Sequence, residues 1–209
     1  EPFSSIFYFL ILLFLFHFSW KLSIDGDMHG NYIYLFNKNI TPDWIFNINE
    51  WLTQAAAFFI HLFPNTDSLI VESNYLYFED GLKTQIIWGC TGVKQMFIFC
   101  GIMIFYRMFE IKKFRYSKEK HSLDLQIHFP RYNRKKWWYI PMGCLALTIY
   151  NIIRIGSISL LTRGRPEIFD SLHDGIFRII YYTIIFMLWV IWEEYFIKKA
   201  KKENKTIQQ

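Results

Sequence analysis

WWYIPMGCLALTIYNIIRIGSISLL, residues 137–161, decides the fold. The run carries a single charged side chain, Arg154. At about 1.5 Å per residue it reaches roughly 37 Å, more than the ~30 Å hydrocarbon core of a bilayer. Trp137, Trp138 and Tyr139 at its start form an interfacial belt. Arg154 is costly there, by about 2.5 kcal/mol or more at the centre of a span. It lies toward the far end, where snorkelling lowers that cost, yet an arginine retained inside an apolar block still calls for a reason.

Three further apolar blocks, 3–20, 93–109 and 176–196, read as spans. The first lacks a basic n-region and an A-x-A-like cleavage site, so it reads as a retained anchor rather than a secretory signal. Positive charge marks particular loops. Residues 107–136 carry ten Lys/Arg against three acids, whereas 21–90 carry three lysines against eight acids. This is the positive-inside pattern, and it excludes a nucleic-acid face built on a soluble core. The expectation is one membrane domain over 1–209. It is an all-α polytopic protein of about four spans, with both termini and the basic loop 110–136 in the cytoplasm. The insert 21–90 lies on the extracytoplasmic side of a plasma or inner membrane.

Within that insert, residues 44–63 segregate their faces. Ile48, Trp51, Leu52, Ala55, Phe59 and Leu62 recur at helical spacing, opposite Asp43, Asn47, Glu50, Gln54 and His61. Such segregation suits a helix lying in the interface; a fifth span with a polar inner face is the alternative. Thr41 or Asp43 is placed to cap it, with Pro42 near its first turn. Residues 68–87 are strand-prone and broken by Asn74 and by Glu79-Asp80-Gly81, as in a small β-hairpin. That hairpin leads straight into Trp88-Gly89-Cys90.

The three cysteines, Cys90, Cys100 and Cys144, form no CxxC pair and no zinc-type spacing, so no metal and no cofactor is implied. Cys100 and Cys144 sit inside apolar runs and read as small hydrophobes. Cys90, in Gly89-Cys90-Thr91-Gly92, sits just before the second span. Arg154, in Asn151-Ile152-Ile153-Arg154, lies in the end of the third, and His173, in His173-Asp174-Gly175, just before the fourth. Alternating spans put all three at the same membrane surface.

A thiolate is a nucleophile, and a cation beside it lowers its pKa. His173 is placed to take the thiol proton or to share an ion pair, and then to protonate a leaving amine. Arg154 is placed to hold an oxyanion. Gly89 and Gly92 admit a substrate backbone, and the N–H groups of Thr91 and Gly92 add to an anion site. Asn151, one turn from Arg154, orients it or bonds substrate backbone. Asp170 and Asp174 are placed to hold the imidazole, but read first as solvated loop acids, and Ser171-x-x-Asp174 reads as a capping box. His61 is the substitute base. His17 reads as a satisfied membrane histidine, and Lys83, Arg163, Arg165 and Glu167 as entrance or solvated residues.

At these motifs the chain resembles the exosortase/archaeosortase family of membrane transpeptidases. Cys90-Thr91-Gly92 heads one span, Asn151-x-x-Arg154 lies in the next and His173 precedes the last, in matching order over residues 88–194. The resemblance implies Cys90 as nucleophile, with Arg154 and His173 completing the catalytic set. It implies a membrane-anchored protein substrate bearing a C-terminal sorting signal, and an envelope acceptor for the acyl group. With about four spans the chain is similar to the compact members rather than to those with about eight. A transporter or assembly factor that binds an anionic ligand at Arg154 is the rival reading; it predicts that Cys90→Ala leaves function intact while Arg154→Ala destroys it.

Overall fold

A computed structural model describes residues 2–26, 33–36, 38–64, 66, 68–107, 110–117, 122–128 and 134–199. The lysine-rich tail beyond 199, parts of the polar segment 27–37 and parts of the basic loop lie outside them. The chain is mostly helical, with small antiparallel sheets. Helices α1 (Pro2–Ser23), α3 (Val93–Phe105), α4 (Lys136–Leu161) and α5 (Phe177–Ile191) form the bundle. Turns of π-helix at Ser171–Ile176 and Trp192–Lys198 extend α5 at both ends.

Three helical stretches are long and apolar enough to cross a membrane: Phe3–Ser23, Lys136–Leu161 and Pro166–Lys198. Phe3, Phe7, Phe14, Ile179 and Met187 all lie outward, more than half exposed. An apolar exterior of that kind is compatible with a multi-pass membrane protein. The expected fourth span falls short. α3 has 13 residues, about 20 Å of helix. It stops because Tyr106 turns extended (ψ 115) and Arg107 takes a positive φ of 47. It also needs less lipid-facing length than its neighbours. Ile98, Phe99, Ile102 and Met103 are wholly buried at the centre of the bundle, among Phe9, Leu12, Leu147, Tyr181, Ile185 and Trp189.

The helices alternate in direction. At one end, Ser5 of α1, Tyr106 and Arg107 after α3, Lys136 of α4 and Glu193 after α5 meet in a polar knot. The hydroxyls of Ser5 and Tyr106 donate to Glu193 (3.2 and 2.8 Å), and Arg107 Nη2 lies 3.4 Å from the same carboxylate. Lys136 Nζ donates to the carbonyl oxygens of Ile104 (3.2 Å) and Tyr106 (2.9 Å). These bonds satisfy buried polar groups that would otherwise cost about 1–3 kcal/mol each. The opposite end carries the last turn of α1, the first turn of α3, the C-terminal half of α4 and the start of α5.

Helix α2 (Trp44–Ile60) packs across that opposite half of α4. Its buried stripe is Ile45, Asn49, Leu52, Thr53, Ala56, Ala57 and Ile60. Of the apolar face read from the sequence, Leu52 is buried, Ile48, Ala55 and Phe59 are partly buried, and Trp51 and Leu62 are exposed. Small residues set the contact, since Ala56 and Phe59 of α2 lie over Gly156 of α4. Trp44, Trp51, Phe58 and Leu62 therefore point outward, next to the polar Asn47, Glu50, Gln54 and His61. Asp43 occupies the N-cap position without a side-chain cap bond. Thr41 Oγ1 instead accepts from the Ile33 amide (2.9 Å) and donates to Asn39 Oδ1 (2.6 Å).

The expected hairpin is a three-stranded sheet, β4 (Ile70–Glu72), β5 (Tyr75–Tyr77) and β6 (Lys83–Gln85), antiparallel in that order. A second, β1 (Ile24–Gly26), β2 (Ile33–Leu35) and β3 (Lys38–Asn39), follows α1, and β7 (Glu110–Ser117) pairs with β8 (Ser122–His128) in the basic loop. Leu76, Phe78 and Ile86 of the middle sheet pack on Leu52, Ala56 and Ile60 of α2 and on Ile155 of α4. Asn74 pins the exit strand: its side chain donates to the Ile86 carbonyl (2.9 Å), and the Ile86 amide donates back to the Asn74 carbonyl (2.8 Å). The chain is thereby aimed at Trp88–Cys90, a single 3-10 turn anchored by Trp88 against Ile33 and Ile45.

Candidate active site

A cavity of about 1280 Å³ opens at this end of the bundle, and Gly89, Cys90, Arg154, His173 and Asp174 all line it. Three elements far apart in sequence thus deliver the thiol, the guanidinium and the imidazole to one space.

Asn151 joins two of them. It is wholly buried on α4; its Nδ2 donates to the Cys90 carbonyl (2.7 Å), and its Oδ1 accepts from Arg154 Nη1 (3.4 Å). Its i, i+3 spacing stacks it one turn below the arginine. Wholly buried and set behind the cavity lining, it is placed to orient Arg154 and Cys90. Arg154 is 5% exposed, and its Nε has no hydrogen-bond partner among the described residues. Nε itself is enclosed, while the residue borders the cavity and keeps its charge beside Cys90.

Gly92 is tied to this arrangement. Its φ is +74, and a Cβ there would sit 2.7 Å from Tyr181 Oη and 3.2 Å from Asn151 Cγ. Only glycine meets both demands. Gly89 differs: a Cβ there would meet nothing within 4 Å, so the space beside it belongs to the cavity. The Thr91 amide does not serve an anion site, because it donates to the Trp88 carbonyl (3.1 Å). The Thr91 hydroxyl donates to the same carbonyl (2.7 Å) and accepts from the Val93 amide (3.4 Å), bracing the turn.

His173 Nδ1 lies 2.9 Å from Asp174 Oδ1, and its ring stacks on Phe169 with centroids 5.3 Å apart. Arg178, one turn on, donates to the same carboxylate oxygen. The capping box with Ser171 is not formed; Asp174 holds the imidazole instead. A carboxylate on Nδ1 fixes the tautomer and leaves Nε2 as the base. Desolvation pushes the Cys90 thiol up from its ordinary value, against a backbone hydrogen bond at Ile87 and the Arg154 charge, which pull it down. That direction favours the neutral thiol over a thiolate paired with the imidazole.

His61 is exposed and does not line the cavity. Lys83 lies over the Tyr75 ring (4.1 Å), and Arg163 pairs with Asp80 (3.1 Å); neither they nor Arg165 and Glu167 border the space. His17 does border it, with Nδ1 3.2 Å from Tyr182 Oη. Arg178, Tyr181, Lys21 and Lys94 line it too, and the sequence reading did not single them out. Arg178 had a readable signal, a cation four residues after Asp174 at the head of an apolar block.

No family model matches the chain, and no curated protein or solved structure matches it. The functional reading rests on the cavity and on the order of the motifs along the chain.

Proposed function

We propose that this chain is a membrane-embedded cysteine peptidase/transpeptidase of the exosortase/archaeosortase kind. It would cleave a C-terminal sorting signal at the extracytoplasmic face of a plasma or inner membrane. The observation that carries the reading is the shared cavity, in which Asn151 links Cys90 to Arg154 and Asp174 holds His173.

In this mechanism His173 Nε2 takes the Cys90 proton as sulfur attacks the scissile carbonyl. The tetrahedral oxyanion is held by the Arg154 guanidinium, which borders the cavity. Collapse breaks the C–N bond; the imidazolium returns its proton to the leaving amine, and a thioester remains on Cys90. An acceptor amine or hydroxyl, deprotonated by the same imidazole, attacks the thioester and releases the thiol; water in its place gives simple hydrolysis. The open space beside Gly89 admits the extended peptide.

The test is trapping. Wild-type protein and the His173→Ala variant are co-expressed with a candidate membrane-anchored substrate, and a covalent adduct at Cys90 is sought by mass spectrometry. An adduct that vanishes in Cys90→Ala supports the reading. Product mass then separates hydrolysis, which leaves a free carboxyl, from transfer, which leaves an added group. Full function in Cys90→Ala with loss in Arg154→Ala would hand the site to the anion-binding rival. Thiol labelling of intact cells that finds Cys90 facing the cytoplasm would rule out the assumed topology.

A further inference from the structure

We propose that Lys21, Lys94 and Arg178 form a phosphate-binding subsite at the mouth of the Cys90 cavity, filled by the phosphate of a membrane-lipid headgroup. This goes beyond the acyl-transfer reading and does not depend on it. Three elements supply the cations: Lys21 from the last turn of α1, Lys94 from the first turn of α3 and Arg178 from the first turn of α5. All three line the same cavity. Its acids are Asp170 and Asp174; Asp174 pairs with Arg178 and holds His173, so the uncompensated charges are those of Lys21 and Lys94, and Arg178 adds its remaining N–H donors. Among the described residues neither Lys21 nor Lys94 has an ion-pair partner.

Like charges gathered from separate helices repel one another, the more so where a cavity wall thins the water between them. Nothing in the packing of these helices requires the charges to converge. An anion between them turns the repulsion into attraction. Two features favour a lipid phosphate over a free carboxylate. The cations sit at the ends of apolar helices, where headgroups lie. Leu13 and Phe14, on the same face of α1, continue the cavity wall below Lys21 as an apolar surface for the glycerol and acyl chain.

The experiment uses the full chain in neutral detergent, loaded from mixed micelles and read by native mass spectrometry. Phosphatidylglycerol is compared with diacylglycerol of the same chains, which lacks only the phosphoglycerol head. The wild type is expected to retain phosphatidylglycerol and not diacylglycerol. A Lys21→Gln/Lys94→Gln variant is expected to retain it about thirtyfold less, at roughly 1 kcal/mol per lysine. Lys21→Arg/Lys94→Arg should restore retention, and Cys90→Ala should match the wild type, which separates this site from the chemistry at the thiol. Should the double glutamine variant fail to fold, Lys21→Gln alone, at an exposed position, carries the comparison. Retention that millimolar inorganic phosphate does not displace assigns the ligand to lipid; displacement keeps the subsite and assigns it to the free anion. Equal retention by wild type and glutamine variants, or equal retention of the two lipids, overturns the proposal.

Discussion

At the scale of single residues, the Cys90 thiol sets a pH dependence. Desolvation raises its pKa, so little thiolate exists near neutrality and the fraction grows as pH rises toward that pKa. Alkylation by iodoacetamide is expected to be slow at pH 7 and to rise well beyond the range of an ordinary cysteine. Arg154→Ala removes a charge that favours the thiolate, so it should slow alkylation further at any one pH; rate–pH profiles of the two proteins check this. The glycines beside the thiol should behave oppositely. Gly92→Ala forces a Cβ against Tyr181 and Asn151 at a positive φ, and a cost of about 1–3 kcal/mol follows; thermal melting in detergent should show it together with loss of the adduct. Gly89→Ala meets no atom, so melting should be unchanged while KM for the peptide rises. Cys90, Arg154 and His173 were legible because each is rare chemistry at the edge of an apolar block. The Asn151 bridge was not, since a bond from an amide to a carbonyl 61 positions away depends on how α4 packs against the Trp88 turn.

At the scale of elements, length and apolar content were readable and orientation was not. Residues 137–161 declared a helix of spanning length, and α4 is long and apolar enough to be one. The block 93–109 looked equivalent, yet α3 ends at Phe105 because Arg107 turns toward Glu193. Hydropathy sums along a sequence and does not register such a tertiary pull. The apolar face of α2 was readable, but a periodic pattern with aromatics on two sides does not say which of them meet protein and which lie outward. Gly156 decided it by admitting Phe59. Short strands of two or three residues hold too few side chains for a period to emerge. Helix contacts at glycines give a graded prediction. A Cβ at Gly143 would lie 2.3 Å from Phe99 Cζ, and Phe99 is wholly buried; at Gly156 it would lie 2.5 Å from Phe59 Cδ1, and Phe59 is only partly buried. Overpacking typically costs about 1–3 kcal/mol. Gly143→Ala should fall at the upper end, since its ring has nowhere to go, and Gly156→Ala at the lower; denaturation midpoints in one detergent rank them.

For the whole molecule, alternation of helix direction brought the candidate site together. Chain order alone foretold that α3 begins, α4 ends and α5 begins at one level. The cation contributed by α1, Lys21, was unforeseen because nothing in a sequence says which helices are neighbours. The far end is held by the Glu193 knot. Glu193→Ala withdraws the acceptor for Ser5 and Tyr106 and the partner of Arg107. Arg107 is partly solvated, so the loss should be about 2 kcal/mol, below the range for a fully buried pair, and seen as a lower melting temperature with the Cys90 alkylation rate little changed. That knot also governs how the molecule can move. Ser5, Arg107, Lys136 and Glu193 fasten four helices together at their roots, while the other tips surround a hollow. Like tongs joined at the handle, the bundle is fastened at one end and hollow at the other, and on the proposed function a guest helix from the bilayer would enter between α1 and α5.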